Sequence, residues 1–143
     1  MSVRKGDRTQ GKLEVLNDIM ELCTYTISTC RKDKVFPKSH RWTLAKRIID
    51  ETIEAGVCIR KANAIMVGED PGAAKRFEIR NGLQTEAHAH LGAVYFLVDL
   101  ALRLEDIDVH RAEYWTCLIY KTDEKLKAWA RANKNDFLAS RKR

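Results

Sequence analysis

The sequence predicts an all-α protein: an up-down-up-down antiparallel four-helix bundle with basic flexible tails. Four segments repeat apolar residues at alternating spacings of three and four, which is the pattern of helices that pack side by side. No segment alternates apolar and polar residues over a useful length, as a half-buried strand would. Two prolines and seven glycines leave little material for the many turns of a β protein.

A length of 143 residues suits one domain, so residues 1–143 are predicted to form a single bundle. Helices are expected at about 12–33, 39–67, 72–105 and 108–132, with tails at 1–11 and 133–143. The tails carry charge without periodicity, which is typical of mobile chain ends.

The first two helices are separated by Pro37, which stops the first helix, and Ser39 is a candidate N-cap for the second. The apolar stripe of the first helix is Leu13, Leu16, Met20, Cys23, Ile27 and Cys30. The stripe of the second helix is Ala45, Ile48, Thr52, Ala55, Ile59, Ala62 and Met66.

The third helix follows a turn at Gly68–Gly72, and Asp108 is a candidate N-cap for the fourth. The stripe of the third helix is Phe77, Arg80, Gln84, Ala87, Leu91, Val94, Val98 and Ala101. The stripe of the fourth helix is Ala112, Trp115, Ile119, Thr122, Leu126 and Trp129.

Several protein classes are disfavoured. No apolar run approaches the roughly 20 residues that cross a bilayer, and the first residues lack the apolar core of a signal peptide. A cytoplasmic protein is therefore expected. The cysteines form no CxxC pair and have no histidine at ligand spacing, so all four are predicted to be buried structural residues. They are Cys23, Cys30, Cys58 and Cys117.

Enzyme signatures are mostly absent, including the glycine-rich nucleotide loops and the HExxH zinc motif. Glu86 and His90 share a helix face, whereas His88 points elsewhere. A di-iron bundle needs Glu-x-x-His on two helices and two more inward glutamates. We therefore expect no catalytic residue, no metal and no cofactor. An enzyme with a site in the bundle core stays open on the histidines alone.

Charge indicates a polyanionic partner. The chain has 26 Lys and Arg against 20 Asp and Glu, a net +6, and Arg31–Arg47 holds seven of the cations with one acid, Asp33. Phe36 and Trp42 interleave with these cations, an arrangement that suits phosphate backbones and unstacked bases. The candidate nucleic-acid contacts in this segment are Lys34, Lys38, Arg41, Lys46 and Arg47.

The third helix carries more apolar residues than one bundle needs. Its Ala93–Leu102 stretch is apolar almost all round, and Ile49, Ile53 and Val57 lie beyond the core stripe of the second helix. Apolar surface in excess of a core is typical of a subunit interface, and the alternative is a thick core within one bundle. A homo-oligomer is therefore expected, and a closed ring would satisfy every copy of a head-to-tail contact.

The segment Phe36–Ile48 resembles the Phe-Pro-Lys-x-x-Arg-x-Thr-Leu-x-x-Arg-Ile motif of a bacterial four-helix-bundle family. The family contains the accessory variability determinant (Avd) proteins of diversity-generating retroelements and the bundle proteins of ribosomal RNA intervening sequences. The resemblance continues through Ala62-Asn63, Gln84–Ala87 and Glu113–Trp115, and Gly11–Val15 is similar to the Avd branch.

The resemblance implies a non-enzymatic subunit of a pentameric ring that binds the reverse transcriptase and template RNA of such an element. It would support adenine-directed mutagenic cDNA synthesis, and it could bind DNA as well. The cations in the matched motif are Lys38, Arg41, Lys46 and Arg47, and spacing alone adds Arg76 and Arg80. The alternative is a protein-interaction bundle of the ribosomal intervening-sequence type, with no direct nucleic-acid role.

Overall fold

The computed structural model describes the backbone at residues 5–32 and 34–142, and the side chains in those ranges from residue 11 onward, residue 13 excepted. Helix α1 is Lys5–Cys30. Helix α2 begins with a turn at Lys38–His40, passes through a π-helical turn at Arg41–Ala45 and continues as Lys46–Ala64. Helix α3 is Ala73–Arg103 and α4 is Val109–Arg141. No strand occurs in the described ranges.

The four helices pack as a bundle, as predicted. Helix α1 packs against α2 and α4, and α3 packs against the same two helices. Neighbours run in opposite directions. Thr26, late in α1, meets Trp115, early in α4, whereas Asp18 meets Lys125 further along. Among the described residues, no helix is long and apolar enough to cross a membrane.

Trp115 occupies the centre of the core. Its side chain has no solvent exposure, and its Nε1 donates a hydrogen bond to Thr26 Oγ1 at 3.0 Å. The Tyr25 ring packs edge-on against the indole with centroids 5.6 Å apart. A buried indole N–H needs an acceptor, so the threonine on α1 satisfies the tryptophan on α4.

The predicted stripes of α2, α3 and α4 are confirmed almost throughout. The exceptions are Met66, which lies beyond the end of α2 and is exposed, and Phe77, which is half-buried. The stripe predicted for α1 is wrong. Met20 is 66% exposed, and Leu13 lies outside the described side chains. The buried positions of α1 are instead Val15, Asp18, Ile19, Leu22, Thr26 and Thr29.

Polar residues explain this error. Asp18 forms ion pairs with Lys121 and Lys125, and Thr26 accepts the Trp115 hydrogen bond. These partners allow polar residues to occupy buried positions of α1. A prediction from apolar residues alone therefore misses the buried stripe and selects the neighbouring, half-exposed one.

The helix ends also differ from expectation. The segments predicted as tails are helical from Lys5 and as far as Arg141, while residues 1–4 and 143 lie outside the described part. Ser39 does not cap α2, because the N-cap is Pro37 and no side chain caps that end. The Asp108 cap is confirmed, since its Oδ1 accepts the backbone N–H of Arg111 at 2.7 Å.

Candidate nucleic-acid interface

One end of the bundle gathers the cations of the Arg31–Arg47 segment. They lie at the end of α1, in the connection to α2 and in the first turns of α2. Lys34, Lys38, Lys46 and Arg47 are exposed, and Arg41 is half-buried. Arg31 and Lys32 are also exposed at the end of α1. Both belong to the predicted charge cluster, but neither is among the predicted nucleic-acid contacts. We call this set of seven cations the basic end.

The cations of the basic end differ in whether they are neutralised. Lys46 Nζ lies 2.6 Å from Asp50 Oδ2, one helical turn away. Lys34, Lys38 and Arg47 form no ion pair with any residue of the described chain. These three therefore present charge to solvent, and a phosphate could approach them without displacing an internal partner.

The two aromatic residues of the motif are separated by the fold. Phe36 is 1% exposed and anchors the connection in the core. Trp42 is 76% exposed and lies in the π-helical turn. In that turn the backbone N–H of Lys46 bonds to the carbonyl of Arg41, which is the i to i−5 pattern of a π-helix. Of the predicted aromatic pair, only Trp42 can touch a ligand.

An acidic stretch lies at the same end, in the connection between α3 and α4. Asp106 Oδ2 is 2.6 Å from His40 Nδ1, which ties that connection to the start of α2. Asp108 is used as the α4 cap, and Asp99 pairs with Arg103 at 3.1 Å. Three of these carboxylates thus have structural partners that lie outside the basic end.

Arg76 and Arg80 lie at the opposite end of the bundle. Arg80 contacts Ala62, which is some 20 residues along α2 from Arg41, or roughly 30 Å at the helical rise. One short ligand therefore cannot contact both groups. The structure brings together the five contacts predicted near the motif and separates the other two from them.

Arg80 has a structural position. It is 8% exposed, and burial lowers the pKa of its guanidinium. Its Nε donates to the Ala62 carbonyl at 3.1 Å, its Nη2 donates to the Ile65 carbonyl, and its Nη1 donates to Asn133 Oδ1 at 2.8 Å. The side chain thus satisfies carbonyls at the C-terminus of α2. This burial leaves little of the side chain for a phosphate to contact, and the contact of Arg80 with nucleic acid stays a prediction.

Arg76 organises the connection between α2 and α3. Its Nε donates to the Val67 carbonyl at 3.0 Å, and its Nη2 forms an ion pair with Asp70. Gly68 adopts a φ of +70°, and a Cβ on Gly72 would lie 2.6 Å from Arg76 Nη1. The glycines make room for the guanidinium, whose donors face the chain itself.

The cations in the C-terminal half of α4 also fall into two groups, those with an ion pair and those without one to a described residue. Lys121 and Lys125 pair with acids on α1, including Asp18, and Lys127 pairs with Asp123 on its own helix. Lys121 and Lys125 thus hold α4 against α1, whereas the Lys127 pair lies within α4. Exposed cations further along α4 and directly after its end form no ion pair with described residues; they are Arg131, Lys134 and Lys142.

The histidines form three separate pairs with carboxylates. Besides His40, His88 Nδ1 lies 2.6 Å from Asp123 Oδ1, and His90 Nδ1 lies 2.6 Å from Glu51 Oε2. The His88 and His90 pairs each link two helices, and the His40 pair links α2 to the connection between α3 and α4. In the described part of the chain, no three His, Cys, Asp or Glu side chains are grouped to hold a metal ion.

The cysteines are all free. Burial raises the pKa of Cys30 to about 12 and raises the pKa of Cys23. Burial and the neighbouring Glu86 raise the pKa of Cys58. The prediction that all four are buried is wrong for Cys117, which is exposed, while Cys23 and Cys30 are half-buried.

Comparison of the chain with models of known families, with curated proteins and with solved structures finds no match.

Proposed function

We propose that this protein is a non-enzymatic, nucleic-acid-binding accessory subunit of a reverse transcriptase, of the Avd type found in diversity-generating retroelements. It would bind the reverse transcriptase and its template RNA. The observation that carries the proposal is the basic end, where Lys34, Lys38 and Arg47 are exposed without an ion pair to any described residue beside the exposed Trp42.

Exposed cations that form no ion pair with a described residue are well suited to bind phosphate. A lysine or arginine that is already paired within the protein must give up that partner to bind a ligand, whereas an unpaired one only releases water and counterions. Release of condensed counterions from the nucleic acid then drives binding. The cations of the α1–α4 contact, such as Lys121 and Lys125, have carboxylate partners. They are therefore expected to contribute little.

Assembly into a homo-oligomer is part of the proposal, and the choice of a pentamer follows from the family resemblance. Two opposite sides of the bundle expose apolar side chains. Ile53 and Val57 are exposed on α2, whereas Tyr95, Phe96 and Tyr120 are exposed where α3 meets α4. A contact between unlike sides is heterologous, and such contacts close into rings.

The apolar surplus is smaller than the sequence predicted. Within Ala93–Leu102, the residues Val94, Leu97, Val98 and Ala101 belong to the core of this bundle. Phe96, at 64% exposure, is the most exposed side chain of that stretch. An interface on this face would therefore centre on Phe96 and the neighbouring tyrosines.

The second candidate is a protein-interaction bundle with no direct nucleic-acid role. The exposed Tyr95 and Tyr120 rings favour it, since their centroids lie 5.6 Å apart and form one aromatic surface. Surfaces of this kind are typical of protein contacts.

Co-purification separates the two candidates. The tagged chain, expressed with the reverse transcriptase of its own locus and isolated at low salt, is expected to retain that enzyme and bound RNA. Purified alone, it should still bind RNA, and binding should weaken as salt rises. A protein that retains the enzyme but no nucleic acid at low salt would favour the interaction bundle instead.

A further inference from the structure

We propose that Trp42 is a stacking platform for an unpaired base, so that the nucleic acid at the basic end is single-stranded where it meets α2. The inference rests on the proposed function and deepens it, since it names the form of nucleic acid and the residue that selects it. The observation that supports this inference is the position of an exposed indole between cations, on a helical turn whose backbone is fixed.

The exposure of Trp42 sets it apart from the other tryptophans. Trp115 is fully buried and Trp129 is 9% exposed, whereas Trp42 is 76% exposed. A tryptophan side chain can bury roughly 150–250 Å² of surface, and the fold here leaves most of that area in water. The side chains of this turn that are buried are those of Leu44 and Ala45.

The backbone beneath Trp42 is fixed. The Lys46 N–H bonds to the Arg41 carbonyl across the π-helical turn, and Thr43 Oγ1 donates to the Ser39 carbonyl at 3.2 Å. A π-helical turn inside an α-helix is frequently found at functional sites. An aromatic ring with few rotatable bonds on a fixed backbone loses little conformational entropy when a ligand stacks on it.

The charges around Trp42 indicate which ligand could cover its indole. Lys38 and Lys46 are four residues to either side of Trp42, and both are exposed. Lys38 forms no ion pair with a described residue, whereas Lys46 is paired with Asp50. A ligand that covers the indole must therefore place negative charge beside an aromatic or apolar group. A nucleotide in a single strand does this, because its phosphates lie on the cations while its base is free to stack. A second copy of the chain is an outcome of the test below.

Base pairing decides which form of nucleic acid can use the indole. In a duplex the bases are stacked on one another, so a basic surface meets only the backbone. A strand with unpaired bases can turn one base onto the ring, and each stacked base adds a contribution that tolerates any sequence. Trp42 should therefore contribute to binding of single strands and not to binding of duplexes.

The experiment compares Trp42→Leu and Trp42→Phe with the unaltered chain, using a labelled oligoadenylate RNA and an RNA duplex of equal length. Trp42→Leu should weaken binding of the single strand by roughly 5- to 100-fold, and Trp42→Phe should keep most of the affinity. Affinity for the duplex should change less than about twofold, and the salt slope should not change, because no phosphate contact is lost. Lys38→Gln is the matched control. It should weaken binding of both RNAs and flatten the slope by about 0.7–0.9.

The outcomes separate this inference from the proposed function. If the unaltered chain binds neither RNA at low salt, both fail together. If it binds the single strand and Trp42→Leu binds it equally well, the stacking role alone is overturned. If Trp42→Leu lowers the mass of an oligomer in light scattering and weakens both RNAs alike, Trp42 is a subunit contact. Protection of Trp42 from acrylamide quenching by the single strand, and not by the duplex, would support stacking, since the other tryptophans are buried.

Discussion

Replacement of Arg80 by methionine tests whether that side chain is a structural group or a ligand contact. Methionine keeps an apolar stem about as long as the three methylene groups of arginine, but it removes the guanidinium and all its donors. The carbonyls of Ala62 and Ile65 and the Oδ1 of Asn133 would each lose a hydrogen bond, and the guanidinium would no longer lie 5.6 Å from the centre of the Trp129 ring.

The expected loss of stability follows from these contacts. A hydrogen bond to a charged group contributes about 1.5–3 kcal/mol, and three bonds are lost. Removal of a buried cation also ends its desolvation cost, which is visible in the lowered pKa of Arg80. The net expectation is a loss of about 2–4 kcal/mol in the free energy of unfolding. For a chain of this size, this corresponds to a fall of about 6–12 °C in Tm.

Urea unfolding followed by circular dichroism measures the change, with Arg131→Met as the matched control. Arg131 is exposed on α4, so its replacement should alter stability by less than about 0.5 kcal/mol. Under conditions where Arg80→Met is fully folded, its RNA affinity should equal that of the unaltered chain. Unchanged stability combined with weakened RNA binding would refute this reasoning and return Arg80 to the interface.

Two further predictions concern reactivity and assembly. Iodoacetamide at pH 8 should modify Cys117 first, because Cys117 is exposed. The raised pKa of Cys30 leaves that residue almost entirely as the unreactive thiol. Mass spectrometry that shows Cys30 modified as fast as Cys117 in the folded protein would contradict this. Light scattering at micromolar concentration should give several times the 16.5 kDa mass of one chain, and Phe96→Glu should reduce it by placing charge in the apolar contact. A monomer mass for the unaltered chain would exclude the ring, and Lys134→Glu, an exposed charge change elsewhere on α4, is the control.

The sequence predicts the helices wherever apolar spacing and burial coincide. In α3 and α4 the core stripe is mostly apolar, and the predicted positions match the buried ones. In α1 the buried stripe includes Asp18 and Thr26, whose partners lie on α4. Those partners are about 90 or more residues away, so local spacing cannot indicate that the polar residues are satisfied.

The end of α4 was missed for a related reason. Beyond Trp129 the helix loses its regular apolar stripe, but the Phe137 ring stacks on Phe77 of α3 with centroids 4.4 Å apart. Arg141 lies 5.3 Å from the centre of the same ring. One aromatic contact of this kind holds a helix against its neighbour without producing a period in the sequence.

The candidate site could be predicted only in part. The run of charge from Arg31 to Arg47 lies at one end of the bundle, but it does not distinguish Lys46, which is paired with Asp50, from Lys38, which forms no ion pair with a described residue. Arg80 falls on the predicted core stripe of the third helix, and this periodicity was the available sign that it is buried. Phe36 is buried in the connection, whereas Trp42 is exposed in the π-helical turn, and the sequence has no recognised pattern for such a turn.

The dependence of RNA binding on salt decides whether the basic end is a nucleic-acid interface. Lys34, Lys38 and Arg47 replaced together by glutamine should weaken binding of single-stranded RNA and reduce the slope of log affinity against log salt by about 2 units, at about 0.7 for each phosphate contact. Arg131, Lys134 and Lys142 replaced together by glutamine remove the same charge from exposed positions at the C-terminal end of α4 and directly after it, and they should leave the slope unchanged. Equal loss of slope in both variants, or no retention of RNA by the unaltered chain at low salt, would contradict the assignment.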